Sequence, residues 1–297
     1  MIERLALIGL GLIGGSLSLA LKKQGLVGEV VGYSRQLQTR LRAFELGLID
    51  RPVDSVAEAV RGADVVFIAT PVQAMASVFA ELAPVLAPNA LITDGGSVKG
   101  NVVAAARAAL SSVQFGQFVP GHPIAGTERS GPDAAFATLF VDHRVILTPT
   151  SANTSAVIER AVALWQAVGA QVEQMPVQHH DHVLAATSHL PHLAAFGLVS
   201  ALSRLEERYE VFRYAAGGFR DFSRIASSDP QMWRDICVAN RDELLPMLDH
   251  YLDELQLLRR LIDAGDSVGV ERVFADAKAV RDVLYRPALT ETAYQAE

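Results

Sequence analysis

This chain is predicted to fold as an α/β domain with a doubly wound parallel sheet, followed by an all-α domain, on three observations. The apolar run Leu5-Ala6-Leu7-Ile8 breaks into Gly9-Leu10-Gly11-Leu12-Ile13-Gly14, and an apolar-periodic helix from Ser16 to Lys23 follows at once. Strand-like apolar runs then alternate with helical stretches as far as residue 176, the pattern of βαβ units and a mostly parallel sheet. After Pro176 the strand signal stops. Residues 1–176 therefore read as a Rossmann-type dinucleotide-binding domain and residues 177–297 as a helical domain.

The first turn carries the nucleotide signal. Gly9 permits a tight turn, Gly11 lets the backbone approach a pyrophosphate, and Gly14 allows close packing of helix on strand. Leu12 and Ile13 complete the turn, and the free N–H groups at the helix start favour phosphate oxygens. A lone G-x-G-x-x-G is weak, and its position between a strand and a helix is what gives it weight. Further strands are expected at Glu29–Ser34, Val65–Thr70, Ala90–Asp94, Gln117–Pro120, Arg144–Thr148 and Gln171–Met175, after the first at Leu5–Gly9. The turns Ala69-Thr70-Pro71 and Asp94-Gly95-Gly96-Ser97 fall at carboxyl ends, where an open α/β sheet places its ligands. Thr70 and Pro71 join the glycine turn as expected cofactor contacts.

An NAD-binding unit normally ends its second strand with Asp or Glu, which takes the ribose 2′-hydroxyl. Here the strand reads Glu29-Val30-Val31-Gly32-Tyr33-Ser34-Arg35, with Ser34 at the acid's position. A carboxylate there repels a 2′-phosphate, whereas a hydroxyl beside a guanidinium welcomes it. Ser34 and Arg35 thus predict NADP as the preferred cofactor, with NAD as the second acceptor. Stacking of Arg35 on adenine is the competing local role.

In the helical half, Asp229-Pro230 reads as an N-cap followed by proline at the first helical position. A helical pattern runs from there towards Gly265, with Leu244, Leu248, Tyr251, Leu252, Leu255, Leu258 and Ile262 on one face. Pro246 is expected to kink it. So long a stripe needs a partner helix, either in its own domain or in a second subunit.

A chain of 297 residues, half of them hydrophobic, has room for about two domains with sizeable cores. Net charge is −7, and residues 176–297 carry 13 basic against 19 acidic groups, so no basic stripe invites nucleic acid. The single Cys237 excludes internal disulfides and fits a reducing cytoplasm. Met1-Ile2-Glu3-Arg4-Leu5 lacks a signal-peptide layout. No uncharged apolar run reaches about 18 residues, so no membrane partner is expected.

Four segments hold clusters that packing alone does not ask for: Asp94-Gly95-Gly96-Ser97-Val98-Lys99, Gly121-His122-Pro123-Ile124-Ala125-Gly126-Thr127-Glu128, Ser188-His189-Leu190-Pro191-His192, and Gly217–Ala226 with the following Asp229-Pro230-Gln231-Met232-Trp233-Arg234. Together, and in this order, they resemble the prephenate/arogenate (cyclohexadienyl) dehydrogenase family of tyrosine biosynthesis, over nearly the whole chain. The resemblance implies a Rossmann-type nucleotide domain, a helical domain that forms a homodimer, and oxidative decarboxylation of a small cyclohexadienol carrying a ring carboxylate. It matches His122 to the family's catalytic histidine, whose neutral imidazole accepts the hydroxyl proton. Ser97 matches the serine that bonds the same region and helps hold the imidazole. Arg224 matches the arginine that grips a substrate carboxylate, which a bidentate guanidinium suits. His192 is the better second substrate contact, with His189 oriented inward beside it, and Arg220 pairs with Glu128 or Asp221 to gate the pocket. Gly95 departs from the family, which commonly has valine there.

The cluster His179-His180-Asp181-His182 suggests a metal, but adjacent residues on a helix point apart, and a polar helix entrance is the preferred reading. Trp233 is expected to pack near the pocket. A β-hydroxyacid dehydrogenase is the nearest rival, and its catalytic lysine has no counterpart, since no lysine lies between residues 100 and 277. A non-catalytic nucleotide sensor has no reason to keep Ser97, His122 and Arg224 together.

Overall fold

The computed structural model describes residues 1–284 apart from Glu128. Two compact units divide between Leu244 and Leu245.

In the first unit the apolar runs become six short strands, β1 Ile2–Ile8, β2 Val27–Tyr33, β3 Arg51–Pro52, β4 Val65–Ile68, β5 Leu91–Asp94 and β6 Phe118–Val119. They are parallel throughout, in the order β3-β2-β1-β4-β5-β6. Helices α1 Leu12–Lys23, α2 Leu37–Glu45, α3 Val56–Val60, α4 Met75–Leu82, α5 Gly100–Ala109 and α6 Ser112–Gly116 make the connections. Alternation along β1 sends Leu5 and Leu7 into one core with Leu17, Phe67 and Trp165, and Ala6 and Ile8 into another with Val66, Phe79 and Phe118. Burial on both faces is why these strands read as unbroken apolar runs. The order reverses between β1 and β4, and the carboxyl ends at that switch open a crevice.

The seven expected strands are all present, but two leave the parallel sheet. β8 Arg144–Leu147 and β9 Gln171–Gln174, linked by α7 Ser155–Gln166, join β7 Gly121–Pro123 in a separate sheet ordered β7-β8-β9. There β7 runs antiparallel to β8, with His122 opposite Ile146. Neither β7 nor the two-residue β3 was predicted, because both are too short to show a period and Gly-His-Pro reads as turn chemistry. Pro120 has no N–H for a ladder bond, so β6 ends there and the chain crosses to the second sheet.

Helix α8 Val177–Leu184 continues through a π turn, Ala185–His189, into α9 Leu190–Ser203. This stretch is long and apolar enough, by length and composition alone, to cross a membrane. It does not read as an unbroken apolar run in the sequence because Thr187-Ser188-His189 and His192 interrupt it. Its polar residues His180, Asp181 and His189 are buried against protein. Helices α10 Arg208–Arg213, α11 Gly217–Ser223 and α12 Pro230–Ala239 complete the unit. Asp229 caps α12 by accepting the Met232 N–H at 2.8 Å, with Pro230 in the first turn. The helix expected to run on to Gly265 breaks at Asn240, whose side chain is held in the site described below.

The second unit comprises the bulk of α13 Arg241–Asp263, which contains Pro246, and α14 Ser267–Leu284. Gly265, at φ +66°, closes α13, with the Asp266 N–H donating to the Leu261 carbonyl.

Candidate active site

At the crevice, Gly9 sits at φ +102°, and a Cβ on it would lie 2.4 Å from the Ala69 carbonyl oxygen. A Cβ on Gly14 would lie 2.2 Å from the Gly9 carbonyl oxygen. At Gly11 a Cβ would meet nothing within 4 Å, so the chain itself does not demand glycine there and the space is open to a close-approaching ligand. Helix α1 has no side-chain cap and no acid in its first turn, and carries Lys22 and Lys23 in its last. The N–H groups of Leu12, Ile13 and Gly14, in the first turn, have no intrahelical acceptor and form the positive end of the helix dipole. The buried Thr70 hydroxyl after β4 has no hydrogen-bond partner, and Pro71 beside it is exposed. An anion-receptive helix start, an open glycine and an orphan hydroxyl fit a dinucleotide.

After β2, Ser34 is half-buried and Arg35 exposed. The buried Arg40 donates to the carbonyls of Ser34 at 2.7 Å and Arg35 at 3.4 Å, and pairs with Asp54 at 2.6 Å. Arg40 thereby holds the loop that carries both residues. Sequence reasoning passed it over, since an arginine in a polar helix reads as solvated.

The chemistry-bearing cluster is built around β5 and β7. Lys99 is fully buried, with Nζ 2.5 Å from the Asp94 carboxylate and 2.6 Å from the Gly121 carbonyl oxygen, to which it donates. Asp94 also accepts the N–H groups of Gly96 (2.8 Å) and Gly121 (3.1 Å). One ion pair thus ties the loop holding Ser97 to the residue before His122. Burial pulls the Lys99 ammonium below its ordinary pKa, with Asp94 and Asp181 acting against it.

His122 is 9% exposed, and its Nδ1 lies 2.8 Å from His180 Nε2. His180 Nδ1 lies 2.7 Å from Asp181 Oδ1. The Asp181 carboxylate accepts the Lys99 and Gly100 N–H groups, each at 2.7 Å, at the start of α5. Burial holds His122 well below the ordinary imidazole range, and the neighbouring His180, Lys99 and His189 push the same way. Burial also lowers His180 against the pull of Asp181. On Asp181 burial acts upward, yet the hydrogen bonds from His180, Lys99 and Gly100 hold its carboxyl low.

His189 is buried, with Nδ1 3.0 Å from Asn240 Nδ2, which also donates to the Asp181 carbonyl at 2.9 Å. An amide N–H can only donate, so His189 carries its proton on Nε2, a buried donor with no partner. Burial lowers its pKa to about 4, so the donor is neutral. His192 stacks on Trp233 at 3.6 Å between ring centroids and donates from Nδ1 to the Ser188 carbonyl at 2.8 Å. Its pKa is lowered by burial and also by the charge of Arg224, which places that guanidinium within electrostatic reach. Trp233 packs with Ile236 and with Val98, next to Ser97.

Several expectations need correction. Among the described residues Ser97 makes no hydrogen bond to His122, whose Nδ1 meets His180 instead. His180 and Asp181 are not a polar helix entrance but are buried within the site, and His182 alone pairs outward with Glu243 at 2.9 Å. Adjacent helical side chains diverge by about 100°, yet the Nδ1 edge of His180 still reaches its neighbour's carboxylate. Arg220 forms no ion pair with Asp221 among the described residues, and Glu128 lies outside them. Asn240 was missed, Lys99 was given no role within its segment, and His180 and Asp181 were set aside. A usable signal was the charge of Asp94 at the end of a strand buried on both faces, which demands a partner nearby.

Residues 17–174 match the nucleotide-binding domain of prephenate dehydrogenase, and residues 176–276 match its dimerization domain. Cyclohexadienyl dehydrogenase of Zymomonas mobilis is 41% identical over 94% of this chain and 95% of its own length. Prephenate dehydrogenase of Bacillus subtilis is 40% identical over 95% of this chain and 76% of its own length. The crystal structure of prephenate dehydrogenase from A. aeolicus in complex with hydroxyphenyl propionate and NAD+ superimposes with a TM-score of 0.87 at 33% identity, covering 96% of this chain and 99% of that one. Synechocystis arogenate dehydrogenase gives 0.78 at 29% identity, covering 95% and 100%. A dinucleotide crevice beside a buried neutral histidine, with both domains matched in order, makes the chain an oxidoreductase that belongs to the prephenate dehydrogenase family.

Proposed function

We propose that this chain carries out the NAD(P)-dependent oxidative decarboxylation of prephenate, arogenate or both, with His122 as the base. The observation that supports this best is a buried, neutral His122 on β7, just past the carboxyl end of β6 in the dinucleotide-binding sheet. The bound nicotinamide supplies the hydride acceptor. His122 takes the ring hydroxyl proton as the carbonyl forms, the carboxylate leaves as carbon dioxide, and its bonding electrons enter the ring. Aromatisation puts the negative charge on the same oxygen, to which His122 returns the proton. Ser97 bonds that oxygen region, the neutral His189 Nε2–H and His192 position the substrate, and Arg224 grips a carboxylate. Arg220, four residues before Arg224 in the sequence, is a second cationic contact; its expected pairing with Glu128 lies outside the described residues. An assay of both substrates against both cofactors, read by nicotinamide absorbance, tests the assignment, and no turnover in any combination would leave a binding protein instead.

Arg224→Ala is expected to raise the substrate KM, because a charge-assisted carboxylate contact contributes about 1.5–3 kcal/mol. Loss of NADP binding with an unchanged substrate KM would assign Arg224 to the other ligand.

NADP is the preferred cofactor on this reading. Ser34→Asp with Arg35→Ala should swing the NADP/NAD ratio of kcat/KM towards NAD by roughly ten- to a hundredfold, by repelling the 2′-phosphate and offering the ribose an acceptor. An equal loss for both cofactors would put Arg35 on adenine.

The division into a nucleotide domain, 1–176, and a helical domain, 177–297, and a cytoplasmic homodimer complete the proposal. In the second unit Leu252, Leu255 and Ile262 on α13, and Val268, Phe274 and Val280 on α14, are exposed apolar residues, more than scattered surface hydrophobics. Light scattering at micromolar concentration should report twice the chain mass, and a clean monomer would leave this face to some other partner.

A further inference from the structure

Behind His122 stand two groups whose hydrogen bonds have only one consistent direction. Asp181 accepts the N–H groups of Lys99 and Gly100, and an ionised carboxylate has nothing to donate. The His180 Nδ1 facing it at 2.7 Å therefore carries the proton, and the neutral ring leaves its Nε2 as a bare acceptor. His122 Nδ1, 2.8 Å from that acceptor, must then be the donor. His122 is left with its proton on Nδ1 and its lone pair on Nε2. His180 is itself fully buried and bonded through both nitrogens. A site that needed only filling would be served better by an apolar ring, since a buried imidazole is costly unless both nitrogens are satisfied.

We propose that His180 and Asp181 are positioning residues, which through two hydrogen bonds hold His122 in the one tautomer whose Nε2 can receive the substrate's hydroxyl proton. The anchor is the start of α5, which fixes Asp181 and belongs to the same segment that carries Ser97 and Lys99. Base, serine loop and nucleotide-binding sheet are thereby set by one hydrogen-bonded chain. This inference rests on the reading of His122 as the base.

Imidazole 1H–15N correlation spectra of the 15N-histidine-labelled protein test it, with the His122 signals assigned by their loss in His122→Asn. Wild type should show His122 protonated on Nδ1. His180→Gln places a carbonyl acceptor near the position of the lost Nε2 and should keep that tautomer. His180→Leu removes the acceptor and should lose it, with kcat down roughly 10²-fold and substrate and cofactor KM values little changed. Glutamine should recover a large part of that loss, a rescue that mere cavity filling does not predict. A wild-type His122 protonated on Nε2 would overturn the inference, even if His180→Leu does not fold. So would an unaltered tautomer and kcat in His180→Leu. Near-normal turnover in His122→Asn, beside the expected spectra, would instead remove the base and leave the hydrogen-bond directions standing.

Discussion

His122→Asn is expected to lower kcat by roughly 10²–10⁴-fold, the usual range for loss of a general base, with substrate KM changed much less. The amide can still bond to His180 Nε2 but cannot take the hydroxyl proton. The wild-type pH profile should report the same group. A protonated His122 cannot act as the base, and burial together with His180, Lys99 and His189 holds its pKa well below the ordinary 6.5. Activity should therefore persist as pH falls through the normal imidazole range and fail only below it. That acid limb should be missing from the residual activity of the variant. Steady-state rates across pH decide the matter, and near-normal turnover of His122→Asn would sink the assignment.

Lys99→Met should destabilise the fold by about 3–5 kcal/mol, the cost of leaving one member of a buried ion pair without its partner. Lys99 and Asp94 are both fully buried, and the Gly121 carbonyl loses its donor in the same change. At about 2–4 °C per kcal/mol for a unit of this size, Tm should fall by roughly 6–20 °C. Replacing Asp94 with Asn as well should recover part of the loss, because no unpaired charge then stays in the core. Thermal unfolding of the three proteins gives the answer. A single variant within about 1 kcal/mol of wild type would mean that Asp94 is not left charged and buried. Since the pair fixes the residue before His122, kcat should also fall in whatever fraction remains folded.

The parallel sheet was legible because burial on both faces leaves unbroken apolar runs at Leu5–Ile8 and Val65–Ile68, with turn residues between them. Strand β7 was not, since three residues have no period and Gly121-His122-Pro123 has the composition of a turn. The helix expected from Pro230 to Gly265 was broken at Asn240, a residue that local propensity treats as neutral and whose break serves Asp181 and His189. For the site, the motifs carrying Ser97, His122, His189, His192 and Arg224 could be picked out as chemistry in excess of packing. What holds them could not. His180 and Asp181 were set aside on the valid ground that neighbours on a helix diverge, which excludes a shared metal but not a hand-to-hand hydrogen bond.

By itself the sequence determined what short stretches of backbone settle among themselves. These include the glycine turn at Gly9–Gly14, the Asp229 cap with Pro230, the Gly265 stop, and the order of strands and helices. Each depends on φ/ψ preferences and side-chain reach within a few residues, so each can be read where it stands. Tertiary structure alone decided that His122 meets His180, 58 residues away, that Asp181 caps a helix 81 and 82 residues before it, and that Lys99 reaches across to Gly121. A hydrogen bond of net value near 1 kcal/mol cannot choose its partner over such separations. The packing of apolar faces brings the groups together first, and burial then makes leaving any of them unpaired too costly.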